Sequence, residues 1–286
     1  MMKILKKSRL TMFLLAIAIT LSACSPPIYK IPTLEDTENN EMDNNIETNP
    51  EISETEDVSN LHPMSIKSLR QNNYSGEALK IEESLSDGYN YKRYIASYLS
   101  EDLKIYGLLT IPKSQMPEGG FPAILFIHGY IPPKEYSTIN SYPTYQDTLA
   151  RNHIITFKPD LRGHGNSEGK PVSAHFSEKY IIDALYAINS LKKQSQVNPK
   201  KIGYWGHSNG GEIGLRAILV SNDIKAASLW AGVVGSYQDM FETYNHKIPF
   251  LQNITENNLI KENGLPSTNP DFWKQLDPYN FISEIK

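Results

Sequence analysis

Five consecutive residues are best placed to do chemistry: Gly206-His207-Ser208-Asn209-Gly210, followed by Gly211. They fit Gly-x-Ser-x-Gly, in which a serine sits on a strained turn between a strand and a helix. Its hydroxyl then projects above the sheet, and small residues two before and two after let the backbones pass closely. A hydroxyl so presented is a nucleophile for acyl transfer. The pattern is short enough to arise by chance, so its context must carry the reading. Here Lys201–Trp205 reads as a strand just before it and Asn209–Val220 as a helix just after.

Two other glycine-bearing loops each follow a strand-like run. The first is His128-Gly129-Tyr130, and the second is Asp160-Leu161-Arg162-Gly163-His164-Gly165-Asn166-Ser167-Glu168-Gly169. The second fails as a nucleotide loop. Gly169 comes one residue too late for Gly-x-Gly-x-x-Gly, and Pro171 stands after Lys170 where a phosphate loop needs Ser or Thr. The seven histidines do not cluster with acids at ligand spacing, so no metal is implied, and no cofactor either.

The elements that must position these loops alternate. Residues 61–92 are mixed and polar, with a short helix near Met64–Gln71. Tyr91–Leu99 and Leu103–Pro112 read as an antiparallel hairpin across Ser100-Glu101-Asp102. Ala123–His128 is a continuous apolar run, as expected for a strand buried on both faces. Tyr142–Asn152 reads as a short helix and His153–Lys158 as the next strand. Ser177 can cap a helix through about Gln194, in which Ile181, Ala184, Leu185, Ile188 and Leu191 recur at helical spacing. Ala226–Val234 reads as another buried strand. Such alternation means an α/β fold with a mainly parallel, doubly wound sheet.

Charge divides the chain. The net −4 is made of +4 in residues 1–24, −9 in residues 25–60 and +1 in residues 61–286. A nearly neutral main domain without a basic stripe argues against nucleic-acid binding. At the N-terminus Lys3, Lys6, Lys7 and Arg9 precede an apolar run, Leu10 to Leu21, too short to span a membrane comfortably. The run ends in Leu21-Ser22-Ala23-Cys24, which resembles the lipobox of bacterial lipoproteins. That resemblance implies a signal peptide over 1–23, lipidation of Cys24, export, and a lipid anchor to the cell envelope with the domain outside the cytoplasm. Cys24 is the sole cysteine, so the mature domain has no intramolecular disulfide. Residues 24–60 read as an acidic, disordered tether and 61–286 as the domain.

The HGY loop, the DLRGHGNSEG loop, GHSNGG and the order of strands between them resemble the α/β-hydrolase family over about Tyr94 to Lys286. Within it they are similar to the prolyl oligopeptidase-like and dienelactone-hydrolase-like branch. The resemblance implies hydrolysis of a small ester or peptide through an acyl-enzyme on Ser208. It also implies an oxyanion hole made by the backbone N–H groups of Tyr130 and Asn209. About thirty residues separate tether from hairpin, too few for the β-propeller of true prolyl oligopeptidases, so loops or a small cap would control access.

The family triad runs Ser, then Asp or Glu, then His along the chain. After Ser208 the only histidine is His246, in Ser236–Lys247, which reads as a helical insertion. Asp239 would serve as the acid where it follows one strand earlier; Asp271 and Asp277 follow no further buried strand. Asp277–Lys286 resembles the lead into a second-last strand. The expectation is a domain lacking the last two strands, with Asp239 and His246 as weak candidates for acid and base and Ala226–Val234 as an exposed apolar edge. The alternative is a truncated or inactive lipoprotein of the same fold, acting as a binding module or left as a gene remnant.

Overall fold

The computed structural model describes residues 61–247 and 254–285, all within the unit Thr55–Lys286. The segments read as signal peptide and acidic tether, with Cys24, lie outside the described residues. Among the described residues no helix is long and apolar enough to cross a membrane.

Seven strands form one sheet: β1 (Lys80–Leu85), β2 (Tyr91–Ser100), β3 (Leu103–Pro112), β4 (Phe121–Ile127), β5 (Ile155–Pro159), β6 (Val197–His207) and β7 (Ile224–Trp230). Their order is β1-β2-β3-β5-β4-β6-β7. The first three are joined antiparallel and β3 is antiparallel to β5, whereas β5, β4, β6 and β7 run parallel. Parallel neighbours need crossovers, and helices supply them: α2 (Pro143–Arg151), α3 (Lys179–Lys192) and α4 (Asn209–Val220). The remaining helices are α1 (Ile66–Gln71), α5 (Asn258–Asn263) and α6 (Pro270–Leu276).

Strand alternation assigns the two faces. Ala123, Leu125 and Ile127 of β4, with Ile202 and Tyr204 of β6, enter the main core with Ile181, Leu185 and Ile188 of α3 and Ile213 and Ala217 of α4. Phe126 and Trp205 point the other way and stack at 4.1 Å, with Tyr142 and Tyr145 from the start of α2 packed over them. The helix expected from Ser177 begins at Lys179, and the Ser177 hydroxyl accepts from the Lys179 N–H.

Two expectations need correction. β1 lies in the segment read as a mixed, polar preamble; its first five residues are exposed, so it carries no apolar alternation to reveal it. The expected strand Ala226–Val234 is not buried. β7 runs from Ile224 to Trp230, and Lys225 to Ser228 are exposed because it is the outermost strand and pairs with β6 alone. It stops at Ala231, whose φ of 46° turns the chain across α4, bringing Gly232 against Gly211. Among the described residues no strand pairs with its outer edge.

The chain after β7 packs a second, smaller core. Tyr237, Met240, Phe241, Ile260, Trp273 and Leu276 close around Met64. Arg216 of α4 pins this layer from beneath. Fully buried, it pairs with Glu212 at 2.9 Å and donates to the Met64 carbonyl and the Tyr237 hydroxyl. Asp277 completes the clasp by accepting from the N–H groups of Tyr237 and Tyr279. The insertion expected over Ser236–Lys247 is a π-helical turn, Asp239–Thr243, followed by a 3-10 turn, Asn245–Lys247.

Candidate active site

Ser208 occupies the junction of β6 and α4 with φ 53° and ψ −113°. An L-residue held there costs on the order of 1–3 kcal/mol, so the surroundings must over-determine it. They do so through the backbone. The Ser208 N–H donates to the Trp230 carbonyl at 2.9 Å, and the Ser208 carbonyl accepts from the Gly211 N–H at 2.8 Å. The buried Tyr204 hydroxyl donates to the Gly210 carbonyl at 2.6 Å. The flanking glycines follow from the close approach. A Cβ on Gly206 would lie 2.3 Å from the Gly210 carbonyl oxygen, and one on Gly210 would lie 2.3 Å from that of Ile127. The turn therefore requires the residue types that flagged it in the sequence.

The same close approach seats the start of α4 against the end of β4, where the HGY loop begins. Tyr130 is 73% exposed and Asn209 is the first residue of α4. Neither N–H donates to another described group. Two N–H groups without a partner among the described residues, one at the positive end of a helix, suit a negatively charged oxygen.

The residue that joins the two loops is one sequence reasoning missed. Tyr142 accepts from the Gly129 N–H at 3.1 Å, and its hydroxyl lies 2.6 Å from His207 Nδ1. The phenol oxygen accepts from Gly129, and in its contact with His207 either atom can be the donor, according to the imidazole tautomer. Burial raises the Tyr142 phenol above its ordinary value, so it stays protonated. No short motif marks such a residue, since 65 positions separate it from its partner.

The other polar residues of the two glycine loops are structural. His128 is buried, with Nδ1 2.7 Å from the Gly129 carbonyl and Nε2 3.3 Å from the Asp160 carbonyl; burial pushes its imidazole down to about 3, so it is neutral and its one N–H donates to one of them. Asp160 accepts from Tyr136 at 2.9 Å and Thr138 at 2.6 Å, while the buried Lys158 ammonium donates to the Tyr136 hydroxyl and the Thr138 carbonyl. Burial raises the Asp160 carboxyl and lowers Lys158 to about 8. Together they anchor the segment that leads into Tyr142. Arg162 turns inward to Asp183 of α3, at 2.6 Å from Nη2, and Gly163 and Glu168 close the loop on itself at 3.0 Å. The DLRGHGNSEG loop is thus occupied by its own bonds to α3 and β3.

Asp239 and His246 are not brought to Ser208 by any hydrogen bond among the described residues. The Asp239 carboxylate accepts from Ser236 at 2.9 Å, and His246 is exposed on its 3-10 turn. The Ser208 hydroxyl itself has no hydrogen-bonded histidine among the described residues.

Known proteins are similar to this chain in sequence or in fold. A thiohydrolase, aneE, of Aspergillus aculeatus is 31% identical over 125 residues, which is 44% of this chain and 38% of that protein. A polyketide transferase of Stachybotrys chlorohalonatus is 29% identical over 110 residues, 38% of this chain and 35% of that protein. The matches thus span well under half of these curated relatives. Among solved structures, an acetyl xylan esterase from Paenibacillus sp. R4 superposes with a TM-score of 0.60 at 19% identity, covering 77% of this chain and 74% of that one, a likeness of fold. The match to the serine aminopeptidase S33 family runs over residues 122–279, from β4 through the serine turn and β7 to the start of the final 3-10 turn. On that span the chain belongs to the serine aminopeptidase S33 family of α/β hydrolases.

Proposed function

We propose that this chain is a serine hydrolase that cleaves a small ester or a peptide through an acyl-enzyme on Ser208. The observation that carries the reading is the strained Ser208 backbone, φ 53° and ψ −113°, beside two N–H groups without a described partner. Ser208 Oγ attacks the substrate carbonyl carbon, and the carbonyl oxygen gains negative charge between the N–H groups of Tyr130 and Asn209. The proton lost from Ser208 Oγ leaves with the departing group as its bond to the carbonyl carbon breaks; water then adds its hydroxyl to the acyl carbon and returns a proton to Oγ as the ester bond to Ser208 breaks. The names of the relatives, a thiohydrolase and an acetyl xylan esterase, favour ester-type bonds. The HGY, DLRGHGNSEG and GHSNGG loops favour the prolyl oligopeptidase-like reading, a peptide. Asp239 and His246 are the acid and base that the chain order nominates. In this proposal the Leu21-Ser22-Ala23-Cys24 box is lipidated at Cys24 and the acidic 24–60 segment holds the domain off the envelope surface.

Reaction of the full chain with a fluorophosphonate, followed by peptide mass mapping, tests the core of this. Adduct on Ser208, absent from Ser208→Ala, supports it; an unmodified Ser208 sinks it. A second reading is a binding module that keeps the fold without turnover. It is favoured by the lack of a histidine bonded to Ser208 among the described residues. It predicts saturable binding of an ester or peptide with no adduct and no hydrolysis. Metabolic labelling with a fatty acid, lost in Cys24→Ser, tests the anchor separately.

A further inference from the structure

We propose that Tyr142 is a positioning residue for the oxyanion hole, a single phenol that ties the His128-Gly129-Tyr130 loop to the serine turn. The inference rests on the hydrolase reading and adds a residue that neither the motif nor the triad order contains. Three observations carry it. First, the phenol oxygen bonds both sides of the site at once, 3.1 Å from the Gly129 nitrogen and 2.6 Å from His207 Nδ1. Tyr130, one donor of the hole, is the residue after Gly129; Asn209, the other, is two residues after His207. The phenol therefore spans the gap whose width sets the distance between the donors.

Second, the contact is built at the expense of the backbone. Tyr142 has φ 60° and ψ 35°, a left-handed conformation that disfavours a bulky side chain. Its position before α2 does not explain this, because its side chain makes no capping bond to the helix. Gly129 is likewise fitted to it: a Cβ there would lie 2.7 Å from the phenol oxygen and 2.8 Å from His207 Nδ1. A strained residue whose side chain ends between two loops of a site is a reason to look for a role there.

Third, the phenol is braced at both ends. Its ring sits 5.7 Å from Phe126 and 6.2 Å from Trp205, which are stacked on each other across β4 and β6. Upstream, Lys158 and Asp160 grip Tyr136 and Thr138 and so fix the approach to Tyr142. A strut fixed at both ends transmits position; a freely rotating ring would not.

The test uses the full chain with Tyr142→Phe, which keeps the ring packing and removes only the hydroxyl, and His207→Ala, which removes the other partner. Gly129 amide exchange, read by NMR, reports the contact without reference to activity. Turnover of p-nitrophenyl acetate and the rate of fluorophosphonate labelling report its consequence. In Tyr142→Phe the Gly129 amide is expected to exchange at least about 10-fold faster. Its kcat is expected to fall about 10- to 100-fold with KM within about threefold, because the donors act mainly on the transition state. The double variant is expected to be no worse than the more damaged single, since both break one bridge. Unchanged Gly129 exchange overturns the strut whatever the activity. Unchanged kcat in Tyr142→Phe, with an active parent, overturns its role in positioning. A parent that neither labels nor turns over overturns the hydrolase reading, and the catalytic role of Tyr142 falls with it even if Gly129 exchange responds.

Discussion

Gly210→Ala gives the sharpest separation between a residue that shapes the site and one that only fits the fold. The new Cβ would lie 2.3 Å from the Ile127 carbonyl oxygen, 2.9 Å from its carbon and 3.0 Å from the His128 carbonyl oxygen. All three are backbone atoms, so no rotamer relieves the clash. Bringing the nearest contact to the 3.0 Å below which real Cβ atoms are essentially never seen needs about 0.7 Å of separation between α4 and the end of β4. Overpacking of this kind costs about 1–3 kcal/mol, offset by up to about 1 kcal/mol because alanine favours the helix. The larger effect is expected on reactivity. The displaced ends carry Asn209 and, two residues past His128, Tyr130, and misplacing reacting groups by about 1 Å costs on the order of 100-fold. The assay is the second-order rate of fluorophosphonate labelling at Ser208, set beside a urea melt of the same sample. Gly120→Ala is the control. Its φ is +97°, and a Cβ there would lie 2.7 Å from the Val197 backbone carbon, again a clash with main-chain atoms but at the opposite ends of β4 and β6. Gly120→Ala should lose stability and keep the labelling rate of the folded fraction; Gly210→Ala should lose labelling by much more than its stability explains. Equal labelling rates for Gly210→Ala and the parent would refute the idea that this gap sets the donor geometry.

Arg216→Met should destabilise the fold by about 3–5 kcal/mol, because it strands the buried Glu212 carboxylate and removes the donors of the Met64 carbonyl and Tyr237. Adding Glu212→Leu should recover most of that loss in urea melts, and a double variant no better than the single would contradict the explanation. His128 gives a pH signature: unfolded it takes a proton near 6.5, folded it resists until about 3, so stability should drop as pH falls through that window. The slope is up to about 1.4 kcal/mol per pH unit, and His128→Asn should flatten the urea midpoint against pH by that much; an unchanged difference between pH 6 and 4 would mean the imidazole is charged or exposed. Of the three tryptophans, Trp230 is 54% exposed against 7% for Trp205 and 2% for Trp273. Acrylamide should therefore quench one readily, and Trp230→Phe should abolish that component; a protected Trp230 would mean that something covers β7.

What could be read from the sequence follows the range of the interactions involved. The hairpin Tyr91–Pro112, α4 from Asn209 to Val220 and the serine turn are local patterns, and their boundaries match the structure to within a residue or so. Apolar runs marked β4 and β5 because both are buried on both faces. The same rule misread β7, since composition does not say whether a neighbour is present. It also passed over β1, whose exposed strand carries Lys80, Glu82 and Glu83 and gains its order from pairing with β2. Within the site, Ser208 and its glycines were legible because the constraint that selects them lies inside five residues. Tyr142 was not, because its partners come from loops that meet only when the sheet forms. Lys158 did leave a trace, a lysine closing the strand-like run HIITFK, and its bonds to Tyr136 and Thr138 show what that charge does.

Ser208 is not held by β6 and α4 alone. The Ser208 N–H donates to the Trp230 carbonyl, so the strain at φ 53° is sustained in part by the last residue of the outermost strand. Trp230 sits opposite His207 in the β6–β7 register, and His207 is one end of the Tyr142 bridge. A displacement of β7 would therefore reach Ser208 directly and the His128-Gly129-Tyr130 loop through His207 and Tyr142. An edge strand is the part of a sheet most open to fraying or to pairing with another chain. Reactivity at Ser208 and the state of the β7 edge are consequently one coupled property. Conditions that loosen β7 should slow labelling of Ser208 before they unfold the β2–β3 hairpin at the other side of the sheet, and agents that pair with or cover β7 should raise both the protection of Trp230 and the labelling rate.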